Sequence, residues 1–305
     1  MGNSTLTVIV LTYNEAIHIK RCLSSVSDLE ARLVVVDSYS SDDTTEIARL
    51  CGADVYQNPF VSHSKQFDWA MKNCGVESDW VLRLDADETI DDELADNIRD
   101  FIAKDGSGCN GAIFHRRHVF LGQWIRYGGR YPLPMLRLFR RGYAHIEQRW
   151  MDEHIVLDKG QSMVLSGGFY DENVNNVGWF IEKHNRYATR EMVDVKLREL
   201  YGGGAEITES TGFHIRLKRF LKEKIYMGLP YFVRPVLYFM YRYFIQLGFL
   251  DGGRGFAYHF MQGLWYRGLV DLKCLEIDLL WRECSSLEEK HTALEEYSGL
   301  VLEKP

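Results

Sequence analysis

Apolar runs rich in Val, Ile and Leu alternate with helical segments through the first part of this 305-residue chain, and each run ends in polar residues. The predicted strands are Thr5–Leu11, Leu33–Val36, Ala53–Tyr56 and Asp79–Leu84, and the helices between them are Ile17–Val26, Thr45–Cys51 and Ser64–Asn73. Near-continuous apolar strands separated by helices predict an α/β fold, a mostly parallel sheet covered by helices on both faces. Ligands of such sheets bind beyond the carboxyl ends of the strands, so the polar residues there mark the predicted site.

Asp85 and Asp87 directly follow the fourth predicted strand. Side chains two residues apart on an extended chain point the same way, so the two carboxylates lie side by side. A hard divalent cation, Mg²⁺ or Mn²⁺, neutralises such a pair, and substrate phosphates complete its oxygen shell. Surface loops often carry such pairs, but the place of this one after three strand–helix units favours a site for a metal and a phosphate ligand.

Further motifs occur along the chain in a fixed order. They are Thr12-Tyr13-Asn14-Glu15, Val36-Asp37-Ser38, Lys65-Gln66, Leu84-Asp85-Ala86-Asp87-Glu88, Trp150-Met151-Asp152-Glu153-His154, the set Trp179, Lys183, His184 and Tyr187, and Gly248-Phe249-Leu250-Asp251-Gly252. Together they resemble the family 2 glycosyltransferases with the GT-A fold, and most closely the bacterial branch that builds lipopolysaccharide core and exopolysaccharide. The resemblance covers roughly residues 5 to 270.

The resemblance implies that the ends of the first two strands bind the nucleoside of a nucleoside-diphosphate sugar, with UDP the preferred nucleotide. Tyr13 is similar to the aromatic residue that packs on the base, a role that suits a flat ring with a polar tip. Asp37 is similar to the carboxylate that reads the base, and Thr12 and Glu15 line the same pocket. The alternative for Tyr13 is an ordinary aromatic residue at a strand end.

The same resemblance gives the diphosphate and the metal to later residues. Lys65 is similar to the family's basic residue near the diphosphate, and the point charge of a lysine suits a phosphate contact. Gln66 lies beside Lys65. Asp85 is expected to face the ribose and the metal, and Asp87 to bind the metal directly. Mg²⁺ or Mn²⁺ is therefore the expected cofactor.

An inverting transferase also needs a carboxylate that deprotonates the acceptor hydroxyl. Such general-base assistance contributes on the order of 10²–10⁴ in rate. Asp152 and Glu153 are the candidates, and because family relatives use the second residue of this pair, Glu153 is the expected base and Asp152 the reserve. The alternative is a hydrated acidic turn, and His154 is expected to be structural.

Two predicted strands alternate apolar and basic residues, Phe114–Phe120 and Met135–Arg141. The pattern predicts that one face of each strand is exposed to solvent and rich in Arg, whose side chain suits bidentate phosphate binding. The functional interpretation is binding of a diphosphate, from the donor or from a lipid-linked acceptor. The expected partners of the enzyme are the nucleoside-diphosphate sugar and a lipid-linked or polysaccharide acceptor. A solvated basic face is the alternative.

The C-terminal third differs in composition. Tyr201–Gly212 is rich in Gly and polar residues and predicts a mobile loop near the site, and His214–Lys224 predicts a basic amphipathic helix. Tyr226–Leu250 is crowded with aromatic and aliphatic residues, but two Arg and two Pro within it argue against a transmembrane span. We expect a helix pair lying in the membrane interface. The alternative is a hydrophobic helix packed on the catalytic domain.

These segments predict a catalytic domain over residues 1–200, with a donor half over about 1–110 and an acceptor half over about 111–200, followed by a helical extension over 201–305. The net charge of −7 argues against nucleic acid as a partner. The six Cys residues are scattered, as expected of reduced cytosolic thiols. The N-terminal residues read as the first strand, not as a signal peptide. We expect a cytoplasmic protein, peripheral on the inner face of the cytoplasmic membrane.

Two other functions fit part of the pattern. A sugar nucleotidylyltransferase shares the half-fold and the metal carboxylates, but it needs a Gly-rich phosphate loop where Tyr13-Asn14-Glu15 stands here. A nucleotide-sugar binding protein without catalysis is the second alternative, and the pairs Asp85/Asp87 and Asp152/Glu153 speak against it.

Overall fold

The computed structural model describes residues 5–147, 153–202 and 228–302. Their contacts divide the chain into two compact units, Met1–Val174 and Asn175–Pro305. The helix that follows Asn176 therefore belongs to the second unit, although the sequence assigned residues up to 200 to the catalytic domain. Three predicted features lie outside the described residues: Asp152, most of the loop Tyr201–Gly212, and the helix His214–Lys224.

The first unit is built on a mostly parallel sheet. Within residues 5–147 and 153–174 the strands are β1 Leu6–Thr12, β2 Arg32–Asp37, β3 Asp54–Gln57, β4 Trp80–Asp85, β5 Glu88–Ile90, β6 Gly111–Phe120, β7 Gln123–Trp124, β8 Pro134–Arg140, β9 Ala144–Ile146, β10 Ile155–Leu157, β11 Ser162–Val164 and β12 Phe169–Glu172. The main sheet has the order β3-β2-β1-β4-β8-β6-β12-β5, with β7 and β11 paired to β6, and β9 and β10 form a separate pair. The α/β fold with a mostly parallel sheet is confirmed.

Strand direction changes once the sheet passes β4. Strands β1 to β4 are mutually parallel, whereas β8 runs antiparallel to both β4 and β6. β12 returns parallel to β6. The carboxyl ends of β1, β2 and β4 therefore meet at one edge, beside the antiparallel half.

The apolar strands are continuous because both faces of the sheet are buried. Val8 and Val10 pack in a core with the helices α1 Ala16–Ser25 and α4 Asp92–Ala103. Ile9 points to the opposite core, formed with α3 His63–Asn73. The described part of this unit also contains the helix α2 Thr44–Leu50. The three predicted helices begin and end within one or two residues of α1, α2 and α3.

The second unit is helical where it is described. Its segments are α5 Val177–Tyr201, Val233–Met240, the π-helical turn Tyr241–Ile245, the 3₁₀ turn Gly248–Asp251, Gly252–His259, the π-helical turn Phe260–Trp265, Tyr266–Trp281 and Leu287–Ser298. Its core joins α5 to the helix Tyr266–Trp281. The C-terminal helical extension is thus present. Across the described ranges, every helix falls short of the length and apolarity that spanning a membrane requires.

Gly167 connects β11 to β12 at a position that excludes a side chain. Its φ is +114°, and a Cβ built there would lie 2.5 Å from the backbone nitrogen of Leu94. We expect Gly167→Ala to lower the free energy of unfolding by about 2 kcal/mol or more, because both the backbone and the packing resist it.

Gly142→Ala is the matched control. Gly142 also has a positive φ, +81°, but nothing lies within 4 Å of its added Cβ, so only the backbone cost of about 1 kcal/mol remains. Urea denaturation of both variants measures the difference. Equal midpoints would contradict the close approach at Gly167.

Candidate active site

Asp37, at the end of β2, is completely buried. Its carboxylate accepts hydrogen bonds from Thr12 Oγ1 at 3.1 Å, from the Ser40 backbone N–H at 2.8 Å and from Gln57 Nε2 at 3.3 Å. The structure therefore brings Thr12 and Asp37 together, and it uses the Asp37 carboxylate to close the loop after β2. Contact of Asp37 with a nucleotide base stays a prediction.

The residues after β1 lie at the same edge. Tyr13 is 59% exposed, so its ring is available to stack on a ligand. Glu15 is turned inward, where its carboxylate lies 2.5 Å from Nδ1 of the buried His18. His18 Nε2 accepts the Val174 backbone N–H at 3.0 Å, so the ring hydrogen lies on Nδ1, and Nδ1–H donates a hydrogen bond to Glu15. His18 thus fixes the orientation of Glu15, a role that the sequence analysis did not identify.

Lys65 and Gln66 begin α3 and face different surroundings. Lys65 is exposed and lies in the first turn, which Ser62 caps by accepting the Lys65 backbone N–H at 3.2 Å. Gln66 is buried and forms two hydrogen bonds with Asn58. Asn58 Nδ2 donates to Gln66 Oε1 at 2.7 Å, and Gln66 Nε2 donates to the Asn58 backbone oxygen at 3.0 Å. Its amide also donates to Ser38 Oγ at 3.2 Å. Gln66 supports the loops of the site from below, and a direct ligand contact stays a prediction for both residues.

Asp85, at the end of β4, is held by an arginine on each carboxylate oxygen. Arg137 Nη2 donates to Oδ2 at 3.2 Å, and Arg83 Nη2 lies 3.4 Å from Oδ1. Burial alone would raise the pKa of Asp85, but Arg137 and then Arg83 outweigh it and hold the pKa well below its usual range. The side chain is still 37% exposed, so this charged carboxylate remains open to a ligand.

Glu88 lies behind Asp85 and is almost completely buried. It accepts a hydrogen bond from the Asp85 backbone N–H at 2.8 Å and one from Arg137 Nη2 at 2.5 Å. Burial raises the pKa of Glu88 to about 8, while Arg137 opposes the shift and Asp85 adds to it. Glu88 therefore fixes the backbone of the Asp85 turn from inside the protein.

Arg137 corrects one sequence prediction. The alternation in Met135–Arg141 predicted a wet face rich in Arg, and β6 and β8 are indeed strands, but Arg137 is only 3% exposed. Its guanidinium lies 5.2 Å from the centre of the Phe169 ring and pairs with two carboxylates. The sequence contained one signal for this role, an Arg inside an apolar strand of a chain that also places three acidic residues after β4.

Glu153 reaches the same arginine cluster from a distant part of the chain. Arg83 Nη2 donates to Glu153 Oε1 at 3.0 Å, and the same nitrogen lies beside Asp85. The side chains of Arg83 and Glu153 are 5% and 9% exposed, so the pair is shielded from water. The predicted base is thus brought to the predicted donor site through Arg83, which sequence reasoning missed.

Asp87 is held by the end of β12. Asn173 Nδ2 donates to its carboxylate at 3.2 Å, and the Glu172 backbone N–H donates to its carbonyl oxygen at 3.1 Å. Within the described residues no group of three or more His, Cys, Asp and Glu side chains converges on one point. Mg²⁺ sites need only one or two carboxylates when substrate phosphates supply further oxygens, and the half-buried Asp85 and Asp87 fit that requirement.

A second charged cluster lies across β6 and β12. Asp171 Oδ2 is 3.0 Å from His118 Nδ1 and 3.4 Å from Arg116 Nε. Burial would raise the pKa of Asp171, but His118 and then Arg116 outweigh it and hold the pKa well below its usual range. On the other face of β6, Arg117 donates to Tyr170 Oη at 2.6 Å. This part of the basic strand pattern is therefore tied to β12.

Comparison with known proteins identifies the family. The family model described as Glycosyl transferase family 2 matches residues 7–169, just over half of the chain. The chain belongs to this family. It is a glycosyltransferase, as predicted, and the matched residues contain most of the sheet and every predicted site residue.

Similar proteins include two sequence relatives and one solved structure. An uncharacterized glycosyltransferase of Rickettsia prowazekii is 38% identical over 209 residues, which cover 62% of this chain and 68% of the relative. The succinoglycan biosynthesis protein ExoA of Rhizobium meliloti is 32% identical over 105 residues, which cover 31% of this chain and 32% of that protein. A solved structure of glucosyl-3-phosphoglycerate synthase from Mycobacterium tuberculosis, in complex with Mn²⁺, UDP and glucosyl-3-phosphoglycerate, is 22% identical with a TM-score of 0.33, and the match covers 37% of this chain and 44% of that one.

The buried bridge through Arg83 predicts a stability effect. Arg83→Met leaves Glu153 shielded from water without its cation, which we expect to cost about 3 kcal/mol of the free energy of unfolding. A second substitution, Glu153→Leu, removes the orphaned charge and should recover at least half of the loss. Urea denaturation of the two single variants and the double variant measures the coupling.

Arg99→Met is the control for this cycle. Arg99 pairs with Asp96 on the surface, where the two side chains are 49% and 66% exposed, so its loss should cost less than about 1 kcal/mol. Additive effects of Arg83→Met and Glu153→Leu would rule out the bridge.

Proposed function

We propose that this glycosyltransferase moves a sugar, with inversion at C1, from a nucleoside-diphosphate sugar to a hydroxyl of a lipid-linked or polysaccharide acceptor. UDP is the proposed nucleotide, and Asp37, which is similar to the family's base-reading carboxylate, is the residue proposed to read its base. The exposed Tyr13 ring, at the edge where Thr12 and Asp37 meet, supports a nucleoside site there.

One observation carries the proposal. A single nitrogen of Arg83 contacts both Glu153, the proposed base, and Asp85, the proposed donor-site carboxylate. The two residues come from segments 68 positions apart in the chain, one at a strand end and one before β10. In a single displacement the base must act close to the sugar carbon that carries the leaving group. The proximity of Glu153 to Asp85 therefore supports this mechanism.

Proton transfer follows from this arrangement. Glu153 accepts the proton of the acceptor hydroxyl as the acceptor oxygen forms its bond to C1 and the bond from C1 to the diphosphate oxygen breaks. Arg83 keeps Glu153 in place before the step and remains paired to Asp85 when the proton arrives. Lys65, exposed at the first turn of α3, supplies a positive charge for the diphosphate.

Asp87 and Asp85 would hold the divalent cation. When bound, Mg²⁺ or Mn²⁺ supplies Lewis-acid stabilisation of the departing diphosphate. Asn173 holds the Asp87 carboxylate, and Arg137 and Arg83 hold Asp85 ionised, so both ligands are oriented by the protein.

The acceptor is proposed to belong to bacterial surface polysaccharide, lipopolysaccharide or exopolysaccharide. The partial likeness to ExoA, named for succinoglycan biosynthesis, supports this class. We place the enzyme at the inner face of the cytoplasmic membrane, where such acceptors are assembled.

The products of turnover distinguish this proposal from the alternatives. A glycosyltransferase releases nucleoside diphosphate, a sugar nucleotidylyltransferase releases pyrophosphate, and a binding protein releases neither. Thermal melts with UDP, GDP, dTDP or CMP, each with and without Mn²⁺, identify the base, since a ligand at about 100 times its dissociation constant adds roughly 2.7 kcal/mol. Membership in the family favours the first outcome.

Asp87→Ala is expected to abolish metal-dependent release of nucleoside diphosphate. The substitution removes the proposed direct metal ligand, so the Mn²⁺-dependent part of the UDP melting shift should disappear with it. Asp43→Ala is the control, because Asp43 is an exposed carboxylate near the end of β2 that makes no side-chain capping bond to α2. Full activity of Asp87→Ala would remove Asp87 from the metal site.

Glu153→Gln is expected to cut turnover by about 10² or more while donor binding is kept. The amide keeps the shape of the side chain but accepts no proton, so the melting shift with nucleotide should match that of the unaltered protein. Asp152→Asn is the comparison variant. If Asp152→Asn loses turnover and Glu153→Gln does not, the base is Asp152.

A further inference from the structure

Large apolar side chains are exposed at regular intervals between residues 232 and 245. The outward pairs are Phe232 and Val233, Val236 and Leu237, Met240 and Tyr241, and Phe244 and Ile245, and their exposed fractions run from 43% to 73%. Their spacing of three to four residues places them on one side of the helix Val233–Met240 and of the π-helical turn that continues it. We call these eight side chains the apolar stripe.

The apolar stripe is large for a protein surface. Eight such side chains, each about half exposed, present roughly 600 Å² of apolar area, at the upper end of the largest patch on a typical monomer. Patches of this size mark interaction sites, whereas single exposed apolar residues need no explanation.

Polar groups occupy the inner side of the same segment. Arg234 is 5% exposed and donates from Nε to Asp271 Oδ1 at 2.6 Å, while the Phe232 backbone N–H donates to Asp271 Oδ2 at 2.8 Å. Arg242, also on the inner side, donates to Tyr238 Oη at 2.6 Å. Charge inside and apolar side chains outside invert the pattern that water imposes on a surface helix.

The stripe is presented by a tightly packed turn. A Cβ on Gly248 would lie 2.7 Å from the His259 ring, and one on Gly255 would lie 2.3 Å from Asp251 Cβ. Glycine at both positions therefore lets the turn Gly248–Asp251 press against the helix Gly252–His259. This accounts for the motif Gly248-Phe249-Leu250-Asp251-Gly252, and Phe249 and Leu250 extend the exposed apolar surface beyond the stripe.

Charge indicates what covers the stripe. From Gly228 to Leu250 the sequence contains no Asp or Glu, and its two charged residues are both Arg. Both Arg side chains lie on the inner side, so the stripe itself carries no charge and no carboxylate that anionic head groups would repel. Such a surface suits an anionic bilayer, in which the apolar side chains enter the acyl boundary.

We propose that the apolar stripe inserts into one leaflet of an anionic lipid bilayer and holds the enzyme on the membrane surface. The segment lies in the interface and does not cross it. The proposal identifies the membrane contact of the function proposed above and rests on it only for the lipid-linked acceptor, because docking itself involves neither donor nor metal.

Flotation of the full-length protein with vesicles tests the proposal directly. The vesicles contain phosphatidylethanolamine and phosphatidylglycerol, and the protein is added without nucleotide or Mn²⁺. The unaltered protein should float with the vesicles, and the triple variant Leu237→Ser, Phe244→Ser, Ile245→Ser should lower the bound fraction at least tenfold.

A matched control substitutes three exposed apolar residues outside the stripe, Leu50→Ser, Val164→Ser and Leu287→Ser, which are 81%, 52% and 59% exposed. This variant should bind vesicles as the unaltered protein does. Melting temperatures verify that both triple variants are folded. Binding by the stripe variant equal to that of the control would overturn the proposal.

A second copy of the chain is the competing occupant, and light scattering after size-exclusion chromatography detects it. An unaltered protein that stays out of the vesicle fraction and is dimeric, with a monomeric stripe variant, would overturn the lipid proposal in favour of a dimer interface. Vesicle binding without release of nucleoside diphosphate from any donor would reject the proposed function and keep the docking surface. Turnover of a soluble donor–acceptor pair without vesicle binding would reject the docking surface and keep the proposed glycosyl transfer.

Discussion

Two buried arginines allow carboxylates to collect at one edge of the sheet. Arg83 on β4 and Arg137 on the neighbouring β8 project into the same region, and between them they contact Asp85, Glu88 and Glu153. Carboxylates brought this close repel one another, and each loses solvation when it is buried. For Asp85 the arginines outweigh both costs and hold the pKa low, whereas the pKa of the fully buried Glu88 stays raised. The arrangement of the site depends on that compensation at Asp85.

Much of the first unit could be predicted from the sequence. The runs of Val, Ile and Leu in β1, β2 and β4 are long enough to be strands buried on both faces, and the polar residues that follow them had to meet at one edge. Thr12 and Asp37 do meet there. That prediction succeeds because it uses only local pattern and a general property of parallel sheets.

The arginines could not be predicted in the same way. An Arg in a strand is ordinarily read as a solvent-facing residue, and its burial depends on carboxylates that are distant in the chain, such as Glu153 for Arg83. The pairing of Glu15 with His18 is local, but the tautomer that lets His18 donate to Glu15 is set by the distant backbone of Val174. Contacts across long sequence separation leave no periodic trace in a single chain, so only the folded structure reveals them.

The residues at the end of β12 determine where the first unit can be truncated without losing contacts to the site. The family match ends at residue 169, yet the next residues make three contacts with the matched part. Asp171 pairs with His118, Asn173 donates a hydrogen bond to the Asp87 carboxylate, and the Val174 backbone N–H donates one to His18. A fragment trimmed to the family boundary would keep every predicted ligand-binding residue but lose the groups that orient Asp87 and, through His18, Glu15. The first compact unit ends at Val174, so it includes all three of these groups.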